Sequence, residues 1–225
     1  MANKNNVEEP NAIDRLNDNL GAASEKIAAN KKVIFWVIGG IVVVAAFVLS
    51  YLFIYRNPKI NRSFEAFNAV EITAAGNDSV ATAEYKKVAE KYGSTDAGQL
   101  AALSAAESYY NMGKYKEAAQ MLDGVKIGEP ILAANALVLE GDCYVNLKKY
   151  DEALNCFNKA IKKADKNPQI VARVLLKEAN IYDAQKKYDK ALECYKTIKA
   201  DYPEFEPGNG VSIDAYIARE VERTK

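Results

Sequence analysis

Few residues of this chain could carry catalytic or metal-ligand chemistry. Histidine, the commonest general acid–base residue and the commonest metal ligand, does not occur in the sequence. The three cysteines, Cys143, Cys156 and Cys194, are odd in number and widely spaced, so they fit neither a disulfide framework nor a zinc site. Each lies beside aromatic and aliphatic residues, so we expect small buried hydrophobic side chains there. A redox pair or a lipid acceptor is the alternative, which this spacing does not favour.

Charged residues are abundant but balanced, with 30 lysines and arginines against 30 aspartates and glutamates. A surface that binds nucleic acid needs a clustered basic excess, which this composition does not provide. The carboxylates alternate with lysines at helical spacing, a pattern typical of solvated helix faces. The sequence shows no metal-binding helix motif, phosphate-binding glycine loop or nucleophilic-serine elbow. It therefore predicts a protein that is not an enzyme, uses no cofactor and binds no nucleic acid.

A repeat with periods of 35 and 38 residues organises the C-terminal half of the chain. Three stretches share a small residue, two tyrosines, an alanine and a large apolar residue in the same order. The small residue lets two helices approach closely. The first tyrosine fills the space beside it, and the second fills the turn between the helices. The matching sets are Ala106, Gly141 and Ala179; Tyr109, Tyr144 and Tyr182; Tyr115, Tyr150 and Tyr188; Ala118, Ala153 and Ala191; and Leu122, Phe157 and Tyr195.

This pattern resembles the tetratricopeptide repeat over residues 99–203. The resemblance implies an all-α fold, in which helical hairpins stack into a solenoid. A weaker unit precedes it, with helices expected over residues 64–75 and 79–92, separated by a turn at residues 76–79. We expect residues 212–223 to form a capping helix, because a solenoid must cover its last core face.

The register of the repeat predicts which residues line the concave groove formed by the first helix of each hairpin. We expect an apolar strip flanked by asparagines, whose amides can donate to and accept from an extended peptide backbone. A solvated helix face without a ligand is the alternative. The predicted groove residues are Leu100, Leu103, Tyr110, Asn111, Asn135, Val138, Asn146, Arg173, Leu176 and Asn180.

A second binding mode, capture of a C-terminal carboxylate, is disfavoured by charge. Arg173 and Lys177 have a suitable spacing for it, but Glu107 and Asp142 place acidic groups where basic groups would be required. Like charges would repel a carboxylate partner.

Residues 33–55 contain no charged side chain and are long enough to cross a bilayer as a helix. The run is too long for a cleaved signal peptide, so we predict an uncleaved anchor in contact with lipid. Five basic residues precede it and three follow closely, which favours a cytoplasmic tail over residues 1–32 and a repeat domain over residues 62–225 that lies outside the cytoplasm. Apolar residues at heptad spacing in the tail, Ile13, Leu20 and Ile27, allow either a short helix or a solvated tail.

The order of tail, anchor and repeat domain, with the stretch AALSAAESYYNMGKYKEAAQML, resembles the YfgM family over residues 31–160. The resemblance implies a single-pass bacterial inner-membrane protein that is an accessory subunit of the SecYEG translocon. Its partners would be the translocon, a membrane-anchored periplasmic chaperone and exported unfolded chains. Two alternatives remain: a structural scaffold subunit of another envelope assembly or secretion complex, and an import receptor that faces the cytosol.

Overall fold

The computed structural model describes residues 30–73, 78–164, 166–208 and 210–225, and all secondary structure within these ranges is helical. The chain divides into two compact units between Pro58 and Lys59. Most of the predicted tail, including its heptad pattern, lies outside the described residues. The predicted fold class is confirmed, with helical hairpins, a C-terminal capping helix and an apolar helix near the N-terminus.

The N-terminal apolar helix, α1, spans Lys31–Ser50 and is followed by a π-helical turn over Tyr51–Arg56. None of the residues in α1 is buried, and its large apolar side chains are exposed except that of Ile34, which is partly buried. The helical segment Lys31–Thr73 is long and apolar enough to cross a membrane. Exposed apolar side chains along a helix of this length are what contact with lipid requires.

Nine further helices form the second part of the fold, counted over the described residues. The first hairpin consists of α2 and α3, and its first helix begins seven residues before the predicted start at Phe64. Three hairpins with the predicted repeat follow, and a single helix ends the domain. The bounds are α2 Asn57–Thr73, α3 Asp78–Tyr92, α4 Asp96–Asn111, α5 Tyr115–Leu122, α6 Pro130–Asn146, α7 Tyr150–Lys163, α8 Pro168–Ala184, α9 Tyr188–Asp201 and α10 Ile213–Arg223.

Local capping explains where the first helices of the hairpins begin. The Thr95 side chain accepts a hydrogen bond from the Gly98 backbone at the start of α4, and Asn167 does the same for Ile170 at the start of α8. Proline follows the cap in α6 and α8, where its missing N–H is tolerated. These residues satisfy backbone donors that would otherwise have no partner inside the helix.

The core of each hairpin is built on the pairing of a small residue with a large one. Ala106 and Leu122 belong to one buried cluster, and Ala179 and Tyr195 belong to another. Gly141 lies directly against the ring of Phe157, which is fully buried. The predicted close approach of the two helices is therefore confirmed.

The C-terminal helix α10 covers the end of the last hairpin, as the sequence predicts. Ile213 and Ile217 pack against the buried cluster that contains Tyr195, and the Tyr216 ring stacks on the Tyr195 ring at a centroid distance of 5.0 Å. The third residue of the predicted stripe, Val221, remains 38% exposed.

Charged contacts fix α10 in place. Glu220 is fully buried, and its Oε1 atom accepts from Nε of Arg219 at 2.6 Å and lies 3.5 Å from Nη1 of Arg223. We expect Arg219→Met to destabilise the docked helix by about 1 kcal/mol, because a buried carboxylate loses its nearer cation. Hydrogen–deuterium exchange of the full-length protein in detergent should show roughly fivefold faster exchange in α10, while α6 and α7 are unchanged.

The matched control for this prediction is Glu222→Gln, which removes an exposed charge from the same helix. It should leave exchange in α10 unchanged. Equal exchange in the Arg219→Met variant and the parent protein would contradict the stabilising role of Arg219.

Candidate binding groove

The candidate binding site lies on α4, α6 and α8, the first helices of the three repeats. Positions one repeat apart meet across neighbouring helices on this face. Nδ2 of Asn146 in α6 donates to the Tyr110 hydroxyl in α4 at 3.3 Å and to the Asp142 carbonyl in its own helix at 2.8 Å. These contacts hold the Asn146 amide in one orientation.

An ion pair joins α6 to α8 on the same face. Nζ of Lys177 donates to both carboxylate oxygens of Asp142, at 2.9 and 3.0 Å. Burial raises the pKa of the Asp142 carboxyl, while Lys177 and the more distant Arg173 lower it. The acidic charge that disfavours capture of a carboxylate is therefore largely neutralised by a cation of the next repeat.

A second contact links the same two helices, about one turn earlier in α8 and two turns earlier in α6. Nη2 of Arg173 donates to Oδ1 of Asn135 at 2.8 Å. The sequence predicts that Asn135 and Arg173 both face a ligand. The structure brings them together as partners of each other.

The C-terminal helix continues this arrangement. Asp183 of α8 accepts from Nη2 of Arg219 at 3.0 Å and from Nη1 of Arg223 at 2.6 Å. In this respect α10 occupies the place of the first helix of a further repeat. Asp183, the acidic group at the C-terminal end of the groove face, is therefore already paired with arginines of α10.

A pocket of about 310 Å³ lies on this face, and we call it the groove pocket. It combines a tyrosine hydroxyl, two asparagine amides and the Asp142–Lys177 ion pair with apolar side chains. Such a mixture can bind an apolar side chain and orient the polar groups beside it. The lining residues are Tyr110, Asp142, Val145, Asn146, Tyr150, Lys177, Asn180, Ile181 and Ala184.

Three of the ten predicted groove residues, Tyr110, Asn146 and Asn180, line the groove pocket together. Leu103 and Val138 do not form an exposed apolar strip, because each is only 6% exposed and belongs to a buried cluster. That part of the prediction is wrong, because these two side chains pack into buried clusters with residues of neighbouring helices. Five others lie outside the lining of the groove pocket: Leu100, Asn111, Asn135, Arg173 and Leu176.

Sequence reasoning missed three residues of the groove pocket, Tyr150, Ile181 and Ala184. The repeat pattern predicts only that Tyr150 fills the turn between the helices. In the structure Tyr150 also lines the groove pocket. Repeat register could not have identified the Asp142–Lys177 pair, since the two residues lie 35 positions apart, three fewer than the 38-residue period between their repeats.

The cysteines do not contribute to this site. Cys143 and Cys156 are 0% and 3% exposed, as predicted, while Cys194 is partly exposed. Burial, with smaller contributions from nearby carboxylates, raises the pKa of each thiol to about 12. Thiols in this state are poor nucleophiles at neutral pH. Their environment therefore favours a role in packing.

Comparison with known families agrees with the helical repeat. The tetratricopeptide repeat family matches residues 132–203, and the family described as anaphase-promoting complex, cyclosome, subunit 3, matches residues 78–160. Together with the fold, these matches support a tetratricopeptide repeat protein, whose repeats are modules for protein–protein interaction. No curated protein matches the sequence.

Three solved structures illustrate the shared fold. A crystal structure of MamA protein aligns with a TM-score of 0.56 and 20% identity over 74% of this chain and 82% of that chain. A second crystal structure, of MamA, aligns with a TM-score of 0.50 and 20% identity over 66% of this chain and 90% of that chain. A crystal structure of BtubC (BKLC) from P. vanneervenii aligns with a TM-score of 0.52 and 13% identity over 75% of this chain and 84% of that chain. At these identities the likeness concerns the fold alone.

Proposed function

We propose that this protein is a membrane-anchored docking subunit that binds extended segments of other proteins in the groove pocket and catalyses no reaction. The observation that carries the proposal is the convergence of Tyr110, Asn146 and Asn180, from three successive repeats, on one partly apolar pocket. A site formed by several repeats matches a ligand that runs along the solenoid rather than a small compact molecule.

The amides of the groove pocket retain hydrogen-bonding capacity. Oδ1 of Asn180 lies 3.4 Å from the Tyr195 hydroxyl, and no described residue accepts from its amide nitrogen. Asn146 donates through Nδ2, which leaves Oδ1 as an acceptor. One donor and one acceptor on neighbouring repeats can pair with the backbone of an extended peptide without reading its side chains.

We further propose that the partner complex is a SecYEG-type translocon, together with a membrane-anchored periplasmic chaperone. Two features support this choice: the resemblance of residues 31–160 to the YfgM family, and an N-terminal helix that is long and apolar enough to span a membrane. In this arrangement the N-terminus is cytoplasmic, the repeat domain is periplasmic, and exported chains are received or passed on at the groove.

The proposal is tested by photo-crosslinking in native membranes. A photoreactive amino acid replaces Asn180 in the groove pocket or, as the matched control, Lys196, an exposed residue of α9. We expect Asn180 to crosslink to translocon subunits, a chaperone or exported chains, and we expect Lys196 to give none of these products. Identical products from both positions, or none from Asn180, would contradict docking in the groove pocket.

One observation favours a second function, that of a structural scaffold in another envelope complex. Asn135 and Asn146 already bond to groups of the neighbouring repeat, so part of the polar face stiffens the solenoid. The double variant Asn135→Ala/Asn180→Ala separates the two functions. Loss of peptide binding with an intact assembly supports docking, whereas loss of the assembly with unchanged peptide binding supports the scaffold.

A further inference from the structure

A second concave surface lies where the shortest helix of the repeat domain ends. Helix α5 has 8 residues, whereas its counterparts α7 and α9 have 14 each. It ends at Leu122, and Gly124 then takes a positive φ of 77°, which turns the chain away from the helix axis. Six missing residues correspond to about 9 Å of helix, so the neighbouring α6 and α7 are less covered there.

The resulting cleft has a volume of about 740 Å³, and we call it the lysine cleft. Its floor is apolar and includes Leu122, Val125, Ile127 and Leu137. Leu122 is buried and the other three are partly buried, so the floor of the cleft packs against the rest of the domain. The lysine cleft shares no lining residue with the groove pocket.

Lysines surround this apolar floor. Lys126 follows α5, and Lys159, Lys162 and Lys163 come from the last turns of α7. All four are exposed, and none forms an ion pair within 4 Å with a described residue. Elsewhere in the repeat domain, Lys87, Lys177 and Lys199 do have acidic partners.

Only one carboxylate lines the cleft, and it lies partly buried. Burial raises the pKa of Glu140, and the largest opposing effect comes from Lys159. Four cations outnumber Glu140 in the lining and Asp123 just outside it, which gives the lysine cleft a positive field over an apolar floor. In a domain whose charges are otherwise balanced, this asymmetry selects an anionic ligand with apolar groups.

We propose that the lysine cleft is a second docking site, which binds an acidic segment of a partner protein that carries one or two apolar side chains. Aspartates or glutamates of the segment pair with Lys159, Lys162 and Lys163, and its apolar side chains lie against Leu122 and Ile127. A volume of about 740 Å³ holds a few side chains but not a folded domain. This site operates independently of the groove pocket, so one chain can hold two partners at once.

The experiment uses the full-length protein in zwitterionic detergent and a fluorescent nine-residue peptide in which glutamates flank two leucines and a phenylalanine. We expect saturable binding that Lys159→Glu/Lys163→Glu weakens by about tenfold or more. The matched control, Lys116→Glu/Lys196→Glu, makes the same change in net charge at exposed lysines outside the cleft and should alter affinity less than about twofold.

A second peptide and a third variant separate the contributions of the apolar floor and of the groove pocket. A peptide with serines in place of the apolar residues should bind at least about tenfold more weakly, since the floor no longer contributes. Asn180→Trp, which fills the groove pocket, should leave affinity unchanged, so failure of the groove proposal is distinguishable from failure of this one. Three outcomes would overturn the proposal. They are equal losses of peptide affinity in the two lysine variants, equal affinity for the serine peptide and the original peptide, and displacement of the bound peptide by phosphatidylglycerol vesicles but not by unlabelled acidic peptide.

Discussion

Replacing Gly141 with alanine should destabilise the second repeat by about 2 kcal/mol. A Cβ atom at this position would lie 2.3 Å from Cε1 and 2.6 Å from Cδ1 of Phe157, whose ring is fully buried, so any shift of the ring displaces its packed neighbours. Overpacking typically destabilises by about 1–3 kcal/mol, and contacts this short with a fully buried ring place Gly141→Ala at the upper end of that range. Subtracting the roughly 1 kcal/mol gained by removing a helical glycine leaves a net loss of about 2 kcal/mol. The steric term therefore decides the sign.

Labelling of the buried thiols measures this effect in the full-length protein. Cys143 and Cys156 react only when the hairpin opens, because both are buried and burial raises their pKa to about 12. We expect roughly 30-fold faster labelling of both thiols in Gly141→Ala, the equivalent of about 2 kcal/mol. An unchanged rate would show that the ring can move away.

A double variant provides the internal control. The equivalent positions of the preceding repeat hold Ala106 and Leu122, so Gly141→Ala/Phe157→Leu copies a pair that this chain already packs. The double variant should be more stable than Gly141→Ala alone, although Phe157→Leu by itself is destabilising. Simple addition of the two single effects would contradict direct coupling between the residues.

The stability of the last hairpin should fall as the pH rises toward neutral, because Glu178 is buried without a charged partner. The residue is 7% exposed, and its Oε1 atom has no hydrogen-bond partner among the described residues. Burial raises the pKa of this carboxyl from 4.5 to about 7. The folded protein therefore holds a proton that the unfolded chain has already released.

The direction of the pH effect follows from that difference. The contribution of Glu178 is fully present below pH 4.5 and is lost as the pH rises through about 7. Glu178→Gln, which keeps the shape and removes the charge, should change stability little near pH 4.5. At pH 8 it should stabilise the protein by about 2 kcal/mol, below the limit set by the full pKa shift.

Urea unfolding of the full-length protein in detergent, followed by circular dichroism at both pH values, measures this change. Glu193→Gln removes an exposed carboxylate from the neighbouring helix and serves as the matched control, with an expected effect under about 0.5 kcal/mol at either pH. The same stabilisation by Glu178→Gln at both pH values would argue against a buried protonated carboxyl.

The repeat pattern was sufficient to predict most of the fold. Small residues such as Gly141 and Ala179, followed by tyrosines at fixed spacing, fit few arrangements other than two closely packed helices. Proline at Pro130 and Pro168 marked the starts of α6 and α8 because its missing N–H is harmless there. The predicted capping helix over residues 212–223 also agrees with the observed α10, which Ser212 caps and which ends at Arg223.

The candidate site was predicted less completely, for a geometrical reason. Register identifies which side of a helix faces the groove, but it does not give the distance to the next helix. Leu103 and Val138 lie on the correct helices and are covered by their neighbours. Tyr150 is the first residue of α7, a second helix, and still reaches the groove pocket, which a pattern confined to first helices could not show.

The sequence by itself determined the helical repeat, the position of the apolar helix and the approximate location of the groove, because these depend on periodicity and local backbone preferences. Only the tertiary structure decided which polar groups pair with each other, such as Asp142 with Lys177 and Asn135 with Arg173. It also revealed the lysine cleft, which arises because α5 ends early beside two longer helices. Such features depend on distances between segments far apart in the chain, and local sequence patterns do not encode those distances.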